Sequence, residues 1–219
     1  MDTLNNVIVK KPWGFEYLCY RNEWLAIWLL SIDSQRQTSM HCHPKKNTGF
    51  IVLKGTVQLS FLNNAITLNE LDKIHIFKSR FHASKAVSDC AAIVLEIESP
   101  EDKHDLVRLH DISGRDNSEY ETKEHFSQKA GGELWLPEPS EDGGEQIILN
   151  KKIGHLIANV NWLDKNQDKN IKLIITRGSL QASSDKKILN PGDVIDIKTF
   201  AALCSKFEIE KNSSYIYVE

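Results

Sequence analysis

Two histidines separated by one residue, His41 and His43, lie in the segment TSMHCHPKKNTGFIVLKG at residues 38–55. On an extended chain, side chains at positions i and i+2 point to the same side because side chains alternate along a strand. Two imidazoles on one side of a strand are suitably spaced to bind one metal ion. Cys42, between them, is predicted to point to the opposite side. The segment therefore predicts part of a metal site.

The segments that must position these histidines are predicted to be strands. They are rich in aromatic and aliphatic residues and are interrupted by turn-forming residues such as the Asn63–Asn64 pair. The predicted strands are FEYLCY (15–20), EWLAIWLLSID (23–33), TGFIVLKGTVQLSFL (48–62), LDKIHIF (71–77) and CAAIVLEIES (90–99). Several short strands at regular spacing indicate an all-β sandwich or barrel.

The last part of the chain repeats the first. IKLIITRGSLQA (171–182) parallels TGFIVLKGTVQL (48–59), with Gly178 aligned to Gly55. LNPGDVIDI (189–197) then matches LNELDKIHI (68–76) at five of nine positions. This order predicts two related β domains. The second copy has no counterpart of the paired histidines, so metal chemistry is assigned to the first.

Between the two copies, residues 100–143 are heavily charged and contain several prolines and glycines. We interpret the chain as a metal-binding domain over 1–118, a charged connector over 119–143 and a degenerate domain over 144–219. Short helices are predicted near 101–110 and 121–129.

Composition excludes several classes of partner. The 219 residues carry a formal net charge of -3, which gives no basic surface for nucleic acid. The longest apolar run, WLAIWLL at 24–30, is too short to cross a membrane, and the first residues show no export signal. We therefore expect a cytoplasmic protein with free cysteines that binds neither nucleic acid nor membrane. Exposed strand edges make a homodimer possible.

The segments HCHPKKNTGFIVLKG and LDKIHIFKSRFH resemble the two consecutive motifs of the cupin superfamily. The resemblance implies a double-stranded β-helix, or jelly roll, in each of two tandem domains, the second degenerate. It also implies a divalent transition metal (Zn, Fe, Ni or Mn) bound by His41, His43 and His82. The family's usual glutamate is replaced by Thr48, whose hydroxyl group could orient a bound water.

KKPWGFE (10–16) and EDKHDLVRLHDISGR (101–115) resemble segments of the cupin domain of mannose-6-phosphate isomerase and mannose-1-phosphate guanylyltransferase proteins. The resemblance implies a sugar phosphate substrate in the synthesis of cell-surface carbohydrate. Relative to that subgroup, Lys46 replaces an arginine. The candidate residues are Lys45, Lys46, Arg80 and Glu16 for substrate binding, and His75 and Glu96 for acid–base catalysis.

Three functions are consistent with these residues. The first is an isomerase or epimerase of a phosphorylated or nucleotide-linked sugar, in which a metal acts as a Lewis acid. The second is a non-haem iron dioxygenase with a three-histidine site. The third is a non-catalytic protein that binds sugars, consistent with the missing glutamate and the second domain without histidines.

Overall fold

The computed structural model describes residues 4–115, 121, 123–183 and 186–219, and most of these lie in antiparallel strands. The first half contains β1 (Val7–Lys11), β2 (Gly14–Arg21), β3 (Ala26–Ile32), β4 (Met40–Cys42), β5 (Asn47–Lys54), β6 (Val57–Phe61), β7 (Ala65–Leu68), β8 (Lys73–Ile76), β9 (His82–Ala86), β10 (Ala92–Ser99), β11 (Val107–His110) and β12 (Phe126–Gln128). The second half contains β13 (Gln146–Ile148), β14 (Lys151–Ile157), α1 (Val160–Asn166), β15 (Lys172–Arg177), β16 (Leu180–Ser183), β17 (Lys186–Leu189), β18 (Val194–Asp196), α2 (Ile197–Cys204), β19 (Glu208–Ile209) and β20 (Ser214–Val218). Neither of these helices is long and apolar enough to cross a membrane.

The strands of the first half alternate between two facing sheets. One sheet has the order β12-β1-β2-β3-β10-β5-β8, and the other has the order β11-β4-β9-β6-β7. From β3 onward the chain passes from one sheet to the other and back, with the β6–β7 hairpin counted as one step. This alternation defines a double-stranded β-helix, so the predicted all-β jelly-roll fold of cupins is confirmed.

The second half repeats this strand order. Its larger sheet contains β14-β20-β15-β18, which corresponds to β3-β10-β5-β8, and a smaller sheet contains β17-β16-β19. The turns before β8 and β18 also have matching hydrogen bonds: Asn69 N–H donates to Asp72 Oδ2 (2.7 Å), and Asn190 N–H donates to Asp193 Oδ2 (2.8 Å). The internal repeat predicted from the sequence is therefore present in the backbone.

The two halves pack together through their larger sheets. On one face of the first sheet, Trp28 and its neighbours fill the interior of the first barrel. On the other face, Ile27 and Leu29 share a buried cluster with Ile174 and Ile216 of the second half. Because both faces of β3 are covered, its sequence AIWLLSI is nearly continuously apolar and does not alternate.

The described part of the charged segment between the halves contains two strands that the sequence did not predict. The helix predicted near 101–110 is wrong, because β11 pairs there with β4. Near 121–129, the described residues form a short 3₁₀ helix (Lys123–His125) and then β12, which pairs with β1. Pairing with an existing strand satisfies the backbone better than an isolated short helix does. The predicted boundary at 118–119 lies outside the described residues, and the division into domains stays a prediction.

The buried layer between the halves predicts a large stability effect. Ile216 is fully buried in this layer, whereas Ile147 is 73% exposed. Ile216→Ala is expected to lower the free energy of unfolding by about 2–5 kcal/mol, because it removes apolar contact and leaves a cavity. Ile147→Ala is the control and should change it by less than about 0.5 kcal/mol. Urea unfolding followed by circular dichroism measures both, and equal effects would contradict this packing.

Candidate metal centre

Three histidines from the first barrel come together at one end of its interior. His41 lies in β4, and His82, the first residue of β9, is its direct partner across the ladder. His43 follows β4 on the same side as His41. The ring centroids are 4.5 Å apart for His41 and His82, 4.9 Å for His41 and His43, and 5.5 Å for His43 and His82.

The hydrogen bonds of these rings direct one nitrogen of each toward a shared point. In all three rings Nδ1 lies at hydrogen-bonding distance from a backbone carbonyl oxygen: that of Ser39 for His41 (2.8 Å), Asp105 for His43 (2.6 Å) and Arg80 for His82 (2.9 Å). A carbonyl can only accept, so Nδ1 carries the proton and Nε2 keeps its lone pair. Among the described residues, the buried Nε2 atoms of His43 and His82 have no hydrogen-bond partner.

Burial keeps the three imidazoles neutral. It lowers the pKa of His43 to about 2 and that of His82 to about 4, with the positive charge of Lys46 adding to both effects. The pKa of His41 is also well below its usual value, first because of burial and then because of the neighbouring histidines. A metal ligand must be deprotonated, so neutral rings are the form that coordination requires.

These residues fit a divalent transition metal. One candidate ligand atom from each histidine lies within 4.8 Å of the others. Metal–nitrogen bonds of about 2.1 Å place the ligand atoms of a tetrahedral site about 3.4 Å apart, so the imidazoles must move together by about 1 Å to bind one ion. Imidazole suits zinc, iron and nickel, and three such ligands leave a coordination position open. Thr48, which the motif resemblance aligns with a glutamate of the cupin family, is buried and its hydroxyl has no hydrogen-bond partner among the described residues.

The histidines adjoin a cleft that is lined mainly by polar and charged side chains. His41 and His43 line it, together with three of the other residues singled out from the sequence, Glu16, Lys46 and Glu96. All three are at least 93% buried, which is unusual for charged side chains. The structure therefore brings a possible metal site and buried acid–base groups to one cleft.

Two lysines neutralise part of a buried group of carboxylates in this cleft. Lys46 Nζ lies 2.7 Å from Glu98 Oε1, and Lys103 Nζ lies 3.0 Å from the same atom. Lys103 is also 3.4 Å from Glu16 and 3.8 Å from Glu96. Burial raises the pKa of Glu96 to about 7; the Lys103 charge opposes this rise, and the Glu98 and Glu16 charges add to it. Glu96 can thus exchange a proton near neutral pH.

Three of the six residues predicted for substrate binding or acid–base catalysis do not line the cleft. His75 lies on the outer face of β8 with its Nδ1 3.8 Å from Asp193 of the second half. Lys45 is exposed, and exposed Arg80 lies over the ring of Phe61 at 5.3 Å. The strand alternation that directs Ile74 and Ile76 into the barrel directs His75 away from it.

Several charged residues of the cleft were not assigned to the site from the sequence. They include Lys11, Glu98, Lys103, Arg108, Arg115 and Glu121. Arg108 and Arg115 were recognised only as part of a segment that resembles a family motif. The sequence could have identified Glu98, because Glu96 and Glu98 are spaced i, i+2 in the otherwise apolar strand AIVLEIES. Two acids on one side of a buried strand must both face a polar space.

The interior of the second half contains aromatic side chains instead of ligands. Trp162 of α1 packs on Tyr215 and Tyr217 with ring centroids 5.7 and 5.0 Å apart, and Phe200 of α2 packs on Tyr215. Among the described residues, the three histidines of the first half are the only group suited to bind a metal ion.

Comparison with known proteins gives structural neighbours only. No protein-family profile and no curated protein sequence matches the chain. Similar solved structures include KdgF from Halomonas sp. (13% identity, 47% of this chain and 94% of that one, TM-score 0.41). A second is the capsular polysaccharide assembling protein CapF from Staphylococcus aureus (15% identity, 48% of this chain and 34% of that one, TM-score 0.43). A third is a cupin-superfamily sugar phosphate isomerase from Silicibacter pomeroyi (14% identity, 36% of this chain and 52% of that one, TM-score 0.34). Each likeness spans less than half of this chain.

Proposed function

We propose that this chain is a metal-dependent enzyme that moves a proton next to the carbonyl group of a small phosphorylated or nucleotide-linked sugar, as an isomerase or epimerase does. The observation that carries the proposal is that His41, His43 and Glu96 line one cleft. The resemblance of residues 10–16 and 101–115 to sugar-phosphate proteins supports the substrate class and a place in cell-surface carbohydrate synthesis.

The charge of the cleft favours an anionic substrate. Five cationic side chains line it (Lys11, Lys46, Lys103, Arg108 and Arg115) against four acidic ones (Glu16, Glu96, Glu98 and Glu121), so positive charge is in excess by one. Because the cleft is poorly solvated, this excess attracts a phosphate more strongly than it would at the surface. Guanidinium and ammonium groups also make short, charge-assisted hydrogen bonds to phosphate oxygens.

In the proposed isomerisation Glu96 removes the proton from the hydroxyl-bearing carbon beside the carbonyl and returns it to the former carbonyl carbon, while the hydroxyl proton passes to the carbonyl oxygen; in an epimerisation the proton returns to the same carbon. A metal bound by the three histidines would supply a Lewis acid for the negative charge that develops on the substrate oxygen. Lys103, 3.8 Å from Glu96, stabilises the carboxylate form that accepts the proton. Burial favours the protonated form, so the two effects together leave the group able to act in both directions.

Glu96→Gln tests this role. The variant keeps the size of the side chain but cannot accept a proton, so we expect proton exchange to fall at least about 100-fold while metal content is unchanged. The measurement is deuterium incorporation from D₂O into hexose phosphates, followed by proton NMR. Glu141→Gln, at an exposed position, is the matched control. Exchange at the normal rate in Glu96→Gln would contradict the assignment.

The two alternative functions, a dioxygenase and a non-catalytic binding protein, predict different results for the same purified protein. Oxygen consumption by iron-loaded protein with a small thiol or diketone would favour a dioxygenase. Folded protein that binds a sugar phosphate but exchanges no proton would favour a non-catalytic binding protein. A homodimer and a cytoplasmic location stay predictions.

A further inference from the structure

Thr48 and Glu98 are neighbours on adjacent strands inside the first barrel. They are direct partners in the β5–β10 ladder, so their side chains lie on the same face of the sheet. Both residues are 1% exposed. Among the residues that the structure describes, Thr48 Oγ1 and Glu98 Oε2 have no hydrogen-bond partner. Two buried side chains, each with an unsatisfied oxygen, are thus neighbours on the sheet that faces the histidines.

Glu98 is held so that one oxygen stays available. Its Oε1 accepts hydrogen bonds from Lys46 Nζ at 2.7 Å and from Lys103 Nζ at 3.0 Å. The same side chain lines the cleft shared with His41 and His43. A buried carboxylate oxygen without a partner is costly, so a group that satisfies it is expected in the bound state.

The charge balance points to the same residue. Three neutral imidazoles leave a divalent ion with both positive charges. Lys46 and Lys103 add two more, which Glu16, Glu96 and Glu98 together offset only in part. A buried charge needs a compensating partner. Thr48 cannot supply one, whereas Glu98 is the acid on the strand paired with it.

We propose that Glu98 replaces, from the neighbouring strand, the negative charge that Thr48 does not provide. Glu98 Oε2 and Thr48 Oγ1 together hold the oxygen ligand, a water or a substrate hydroxyl, in the position that the three histidines leave open. Glu98 is a positioning residue and not a direct ligand, since the described ligand group contains the three histidines alone. The inference rests on the metal site of the proposed function.

Binding of Co²⁺ alone tests the inference without reference to turnover. The metal-stripped full chain competes for Co²⁺ with a chromophoric chelator, which yields the dissociation constant. Glu98→Gln should raise this constant about 10- to 100-fold, the usual cost of losing an outer-sphere partner, and Thr48→Val should raise it several-fold. Adding Thr48→Glu to Glu98→Gln should restore most of the affinity, because the new carboxylate faces the same space. Glu141→Gln is the control.

The outcomes separate this inference from the proposed function. If the unaltered chain does not bind Co²⁺, the metal site of the proposed function fails, and this inference fails with it. If the unaltered chain binds and Glu98→Gln binds equally well, only the role of Glu98 is overturned. Glu98→Gln could fail to fold because two buried lysines lose their partner. In that case Thr48→Val is the test: an unchanged affinity for Co²⁺ overturns the inference, and weaker binding supports it.

Discussion

Replacing His43 by alanine is expected to abolish tight metal binding, with a loss of affinity greater than about 100-fold. His43 is buried, its Nδ1 is fixed by the carbonyl of Asp105 at 2.6 Å, and its Nε2 has no other partner among the described residues. Loss of a ligating ring should cost more than the 10- to 100-fold that follows from loss of an outer-sphere group. With two imidazoles and no carboxylate ligand in the described group, the site falls below the three ligands of a stable centre.

Elemental analysis of protein purified without added metal measures this effect. About one equivalent per chain is expected in the unaltered protein and almost none in His43→Ala. His104→Ala is the matched control, because His104 is exposed and lies outside the cleft. A second reading is the thermal midpoint with and without EDTA, since a bound metal stabilises the folded state by mass action. Equal metal content in His43→Ala and the control would contradict the site.

Acidification is expected to destabilise the protein through His155, a buried histidine of the second half. Its Nδ1 lies 2.7 Å from the carbonyl oxygen of Pro137 and its Nε2 lies 2.8 Å from the hydroxyl of Thr176. Thr176 is in turn 2.8 Å from the hydroxyl of Ser214. Burial lowers the pKa of His155 to about 4, although the Pro137 carbonyl opposes this effect.

The direction of the pH dependence follows from proton binding. The unfolded chain, with a histidine pKa near 6.5, binds more protons than the folded chain between about pH 6.5 and pH 4. Stability from neutral His155 is therefore complete above pH 6.5 and is lost as the pH falls toward 4. Each pH unit in this window costs at most about 1.4 kcal/mol, or on the order of 3 kcal/mol in all.

Urea unfolding in the presence of EDTA at pH 7, 5.5 and 4.5 isolates this contribution. His155→Gln should be less stable than the unaltered chain at pH 7 but should lose less stability between pH 7 and 4.5. His104→Gln, at an exposed position, should follow the unaltered chain throughout. Parallel pH profiles for His155→Gln and the unaltered chain would show that His155 does not titrate with unfolding.

The local sequence pattern alone was sufficient to predict the class of fold and part of the metal site. The positions of His41 and His43 on one side of the chain follow from strand alternation, which depends only on neighbouring residues. The repeat was also visible, because the turns at Gly55 and Gly178 require positive φ (78° and 73°) and keep the same residue type. The choice of His82 came from resemblance to a known motif, and the ladder pairs His82 with His41.

Tertiary structure decided which charged residues share the cleft. His75 and Glu96 were equal candidates on their strands, but only Glu96 faces the barrel interior, because the second half covers the face that carries His75. Likewise, Lys103 reaches Glu98 only because the segment after β10 folds back over the barrel. The alternation of side chains along a strand predicts that two neighbouring side chains lie on opposite faces. Which face encloses the site depends on sheets that are distant in the chain, and no local pattern contains that information.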